Sequence, residues 1–156
     1  MDLSPYRIAV IDDSQTVRAA ANAVLARAGA TVVEAQDGYD GLAVVAAQRP
    51  DLVLVDIMMP RLDGLQLTAL LRGHAEFAQL PVLLVSSKDS LFDQARGRLS
   101  GADGYLIKPF SAEELLAAVG AALIRPPRAG SEPQRENSAD NPVDNPADNP
   151  TASPAQ

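Results

Sequence analysis

Leu52-Val53-Leu54-Val55-Asp56 places four apolar residues directly before a carboxylate. A run that is apolar at every position, without alternation, reads as a strand buried on both faces, the pattern of a central strand in a parallel sheet. Val82-Leu83-Leu84-Val85 repeats the pattern further along, and Arg7 to Ile11, Thr31 to Ala35 and Tyr105 to Ile107 read as flanking strands. Helix-period segments fall between them at about 14–28, 38–48, 64–73, 89–100 and 111–124. Gly29 supplies a stop after the first helix, and Ser111-Ala112-Glu113-Glu114 a capping box at the start of the last. Five βα units in strict alternation predict right-handed crossovers and a parallel sheet with helices on both faces, that is, an α/β, (βα)5 doubly wound fold.

Ligands of such sheets bind beyond the carboxyl ends of the strands. Strand one runs into Asp12-Asp13, strand three into Asp56, strand four into Ser86-Ser87 and strand five into Lys108-Pro109. Taken alone, Asp12-Asp13 also fits a solvated turn at a helix N-terminus, where acids interact well with the dipole. Taken with Asp56, the pair brings three carboxylates to one edge, where they repel one another and lose hydration unless a cation joins them. With no cysteine in the chain the donors are oxygens, which points to Mg²⁺ or Ca²⁺. Few protein ligands with room for water favour Mg²⁺, and no segment has the loop spacing of a calcium hand. Asp12, Asp13, Asp56 and the backbone carbonyl of Met58 are the candidate ligands. With its charge screened, Asp56 is a candidate nucleophile toward phosphorus, with Lys108 as cation and the Ser86 hydroxyl as donor for phosphoryl oxygens. His74 reads as a surface residue at the end of helix three.

The chain has 156 residues, 47% of them hydrophobic, which is room for one core. A composition break near Arg125 separates a domain over 1–124 from a tail over 125–156 with seven prolines, no aromatic residue and Asp-Asn-Pro repeated at Asp140, Asp144 and Asp148. That tail is predicted to be disordered, because it cannot bury enough apolar surface to offset ordering. A net charge of −7 without a Lys/Arg cluster argues against nucleic acid as partner. Apolar runs broken by charge, glycine or proline argue against membrane insertion, and Met1-Asp2-Leu3-Ser4-Pro5 lacks the basic start of a signal peptide, so a cytoplasmic protein is expected.

Val10-Ile11-Asp12-Asp13-Ser14, Val55 to Gly64, Val85-Ser86-Ser87-Lys88 and Tyr105-Leu106-Ile107-Lys108-Pro109-Phe110 together resemble the response-regulator receiver domains of two-component systems, including the single-domain chemotaxis regulator, over about residues 6–124. Asp56 to Gly64, and Ser86 to Asp93 with Gly97-Arg98, look like the stand-alone receivers of the type IV pilus twitching-motility pathway, a chemotaxis-like system. The resemblance implies a flavodoxin-like strand order 2-1-3-4-5. It also implies Asp56 as phosphoacceptor, Asp12 and Asp13 as organisers of Mg²⁺, Ser86 as switch hydroxyl, Lys108 as phosphate contact and Tyr105 as an aromatic that changes rotamer. Gly64 would permit the tight turn after the loop, and Lys108-Pro109 would be cis. The implied partners are a histidine kinase and a downstream motility protein or motor regulator. The implied activity is limited to the chain's own phosphorylation and dephosphorylation, with roles as output regulator, phosphate sink or phosphorelay intermediate left open. An Mg²⁺-dependent aspartate-nucleophile phosphatase is the rival reading, but it wants a second acid two residues after the nucleophile, and position 58 is methionine.

Overall fold

The computed structural model describes residues 1–87 and 91–128. Five strands, β1 (Arg7–Ile11), β2 (Thr31–Ala35), β3 (Leu52–Asp56), β4 (Val82–Ser86) and β5 (Gly104–Ile107), alternate with α1 (Gln15–Arg27), α2 (Gly38–Gln48), α3 (Gly64–Arg72), α4 (Leu91–Leu99) and α5 (Ala112–Leu123). A 3₁₀ turn at Ala75–Phe77 follows α3. All strands are parallel in the order β2-β1-β3-β4-β5, the order that the resemblance implied. Lys88, and the Asp-Asn-Pro repeats of the tail, lie outside the described residues.

β3 and β4 are buried at every position, as their unbroken apolar runs predict. β1 is buried at four of its five positions and sits between β2 and β3, so it is a third central strand. Pleating sends alternate side chains to opposite faces. Ile8, Val10, Leu54 and Val85 pack with Leu25 of α1 and Leu115 and Val119 of α5. Ile11, Val55 and Leu84 pack with Val45 of α2 and Leu67 and Leu71 of α3. Full burial of side chains of this size contributes roughly 1.5–3 kcal/mol each, so the two layers dominate the stability. Because β1 and β3 are neighbours, with Ile11 opposite Val55, the residues that follow them emerge side by side.

Local chemistry sets the helix ends. Ser14 caps α1 by accepting from the Val17 amide, and Gly29 ends it at φ +102°, a left-handed conformation that a side chain disfavours. Ser111 accepts from the Glu114 amide at 3.0 Å, which is one half of the box expected there; among the described residues the reciprocal bond, from the Ser111 amide to the Glu114 carboxylate, is not formed. A complete capping box occurs instead at α3. Asp63 accepts from the Gln66 amide at 2.8 Å, and the Gln66 side chain accepts from the Asp63 amide at 3.1 Å. Gly64 keeps a negative φ. Its role is close approach, since a Cβ there would collide with the Asp56 carbonyl.

Beyond α5, Arg125 and Arg128 donate to the carbonyls of Gln79 and Ala78 and pair with Asp103, whose side chain is 3% exposed. Arg72 reaches the same carboxylate at 3.0 Å. His74 follows α3, accepts from the Glu76 amide and lies against the Phe77 ring, so it serves the 3₁₀ turn.

Candidate functional site

The carboxyl ends of β1 and β3 deliver Asp12, Asp13 and Asp56 to one place, where one oxygen of each lies within 4.8 Å of the others. Asp12 and Asp56 are buried, at 2% and 5% exposure, whereas Asp13 is exposed. The Asp12 amide continues the sheet by donating to the Ala35 carbonyl. Its carboxylate accepts from the Ser14 amide and from Lys108, each at 2.9 Å. Asp56, the last residue of β3, accepts from the Met58 amide at 3.2 Å and pairs with the Lys108 ammonium at 3.3 Å.

Lys108 is held by β4. Its amide donates to the Ser86 carbonyl at 2.8 Å, and the Lys108–Pro109 peptide is cis. Ser86 is 2% exposed at the end of β4. An open cleft of about 450 Å³ runs between Ser86 and Met58 on the α4 side. Met58 is 58% exposed, with its amide turned to Asp56. Tyr105 is half-buried on the edge strand, near Gly97 of α4.

Burial is the largest influence on Asp56 and raises its pKa; the negative charge of Asp12 acts the same way, against Lys108 and the Met58 amide. For Lys108, burial pulls the pKa down. The hydrogen bond to Asp12 and the charges of Asp56 and Asp12 outweigh it, so the net shift is upward. Three carboxylates and one ammonium leave two negative charges uncompensated. Oxygen donors alone, a double negative charge and one exposed carboxylate fit a small hard divalent cation.

The sequence singles out Asp12, Asp13, Asp56, Ser86 and Lys108, and the structure brings all five to this edge. Two features of the surroundings carry no local sequence signal. Arg18 of α1 donates to the Asp12 carbonyl at 2.6 Å, and Arg61 of the loop after β3 pairs with Asp37 before α2 at 3.4 Å.

Residues 8–120 match the family described as “Response regulator receiver domain”, and the chain belongs to that family. Over 115 residues it is 51% identical to Protein PilG of Pseudomonas aeruginosa, covering 74% of this chain and 85% of that one. It is 45% identical over 121 residues to Response regulator MprA of Mycolicibacterium vanbaalenii, covering 78% of this chain but spanning only 52% of that regulator's length. Among solved structures, the chemotaxis protein CheY4 of Vibrio cholerae superposes with a TM-score of 0.73 at 30% identity, over 76% of this chain and 98% of that one. A response regulator from Chloroflexus aurantiacus gives 0.74 at 31%, over 77% and 98%. No helix among the described residues is long and apolar enough to cross a membrane.

Proposed function

We propose that the chain accepts a phosphoryl group on Asp56 from a histidine kinase, with Mg²⁺ held by Asp12, Asp13, Asp56 and the Met58 carbonyl, and signals by phosphorylation-dependent protein binding. The observation that carries this reading is the Lys108 ammonium between two buried carboxylates, beside a third that is exposed. A carboxylate oxygen of Asp56 forms the new O–P bond as the P–N bond to the donor imidazole breaks, and the electron pair of that bond stays on nitrogen. Lys108 can turn from Asp56 to a phosphoryl oxygen while keeping Asp12, and the Ser86 hydroxyl can donate to another. Bound Mg²⁺ supplies screening of the approaching anions and a charge for the third oxygen. In this reading the chain catalyses only its own phosphorylation and dephosphorylation, in the cytoplasm.

The likeness of residues 56–64 and 86–98 to stand-alone twitching-motility receivers, with the 51% identity to Protein PilG beside it, supports a chemotaxis-like type IV pilus pathway and a motility protein or motor regulator as the partner. Residues 1–124 then form the switch, the expected boundary at 124 moves outward because Arg125 and Arg128 are fastened to the domain through Asp103, and the segment from 129 on is a tail that the switch does not require. The test is labelling with acetyl phosphate. Wild type takes up label with Mg²⁺ and not in EDTA, and Asp56→Asn takes up none. Stoichiometric label on the Asn variant refutes the assignment.

A further inference from the structure

Asp12 and Asp13 are held by different means. The Asp12 carboxylate is tied on both oxygens, to the Ser14 amide and to Lys108. The exposed Asp13 carboxylate has neither a hydrogen bond nor an ion pair among the described residues, so its position is inherited from the backbone. That backbone is the planar Asp12–Asp13 peptide, and fixing its carbonyl oxygen fixes the orientation of the unit that carries Asp13. The oxygen accepts from Arg18 Nη1 at 2.6 Å, a short charge-assisted bond.

Arg18 is itself braced. Its side chain is only 16% exposed, and Nε pairs at 3.3 Å with Glu34 of β2, whose other oxygen accepts from the Asn22 side chain at 3.2 Å. An exposed ion pair would contribute little, but this guanidinium is shielded and forked between a carboxylate and a backbone carbonyl. Glu34 also cancels its charge, so a cation beside the three acids meets no uncompensated positive neighbour. We propose that Arg18 is a positioning residue that presents Asp13 to the divalent cation by holding the Asp12–Asp13 peptide, with Glu34 as its counter-charge.

This rests on the reading of the acid group as an Mg²⁺ site. Mg²⁺ alone is titrated into the full chain, and its Kd is read from the amide resonances of Asp13 and Asp56. Arg18→Met, which keeps the apolar stem, raises Kd about 10-fold, the scale found when partners behind a metal ligand are removed. Arg18→Lys, which can still donate to the carbonyl, stays within about 3-fold of wild type on the same scale. A folded Arg18→Met with Kd within about 2-fold of wild type overturns the inference alone, since that is well short of the expected loss. If the Met variant does not fold, Arg18→Gln is held to the same limits. Failure of both to fold also overturns the inference, because Arg18 then supports the helix and not the acids. A wild type with no saturable shift removes the metal reading itself, and the inference with it.

Discussion

The Lys108 ammonium lies closer to Asp12, at 2.9 Å, than to the phosphoacceptor candidate Asp56, at 3.3 Å. The lysine therefore has an anchor that it can keep while it leaves Asp56. Without it, two buried carboxylates face each other uncompensated. Lys108→Gln is expected to lower the Tm in EDTA by about 5 °C or more, the scale of roughly 1 kcal/mol in a domain of this size. Mg²⁺ should restore part of the loss. Thermal denaturation with and without Mg²⁺ measures both, and a Tm in EDTA at or above wild type contradicts the account.

Asp56 makes the opposite prediction. Its pKa is raised on folding by burial and then by Asp12. Such a group favours the folded state fully only below its unfolded pKa, and that contribution is lost as pH rises through the folded value. At pH 7 in EDTA the ionised side chain is thus a liability, and Asp56→Asn should raise Tm by about 3 °C. The advantage should shrink as pH falls and vanish below the unfolded value of about 4. An advantage that grows on acidification reverses the sign and sinks the argument.

The proposed function predicts a link from chemistry to surface through Ser86 and Tyr105. In the proposed switch, phosphate on Asp56 would offer acceptor oxygens to the buried Ser86 hydroxyl, and its inward movement would be answered by a turn of the half-buried Tyr105 ring. Moving the equilibrium from 1:9 to 9:1 takes only about 2.6 kcal/mol, within reach of one or two charge-assisted hydrogen bonds. Ser86→Ala should keep label on Asp56 while the Tyr105 ring resonances respond to beryllofluoride at less than about half the wild-type amplitude. A full response in the variant rules the route out.

Truncation separates two parts of the C-terminal region. A chain ending at residue 128 should melt within about 2 °C of the full chain, because the residues removed lack core-forming side chains. A chain ending at 124 loses Arg125 and Arg128 from the buried Asp103, leaving Arg72 as its ion-pair partner among the described residues. That should cost about 1–2 kcal/mol, or roughly 5 °C or more. Equal melting of the two truncations would show that the arginine contacts contribute nothing.

The strands were legible because β3 and β4 announce burial by being apolar almost throughout, and Asp12 and Asp56 were legible because each directly follows four apolar residues, with Asp13 next in line. Ser86 and Lys108 could be placed by the same logic of strand ends. The burial of β1 was less plain, since Arg7 opens the strand and the neighbours that cover it are set by sheet order. Contacts between distant elements left no trace in local pattern. Nothing near Asp103 announces Arg72 or Arg125, and Arg18 has the spacing of an ordinary first-turn helix residue. The Asp63–Gln66 spacing of the box at α3 is present in the sequence, but Asp63 belongs equally to the motif that follows Asp56, which masks its capping role. At Gly64 the sequence suggested a turn that needs conformational freedom, whereas the constraint is the Asp56 carbonyl packed against it.

Arg125 and Arg128 meet residues that precede β4 and β5, while the acids follow β1 and β3, so the two groups lie at opposite ends of the parallel strands. Five residues of strand at about 3.3 Å each put roughly 16 Å of sheet between them. Chain leaving residue 128 therefore departs from the far rim. A fluorophore or affinity handle attached at that exit would sit clear of any protein that docks over the acids, which makes it the attachment point of choice for following phosphorylation-dependent capture.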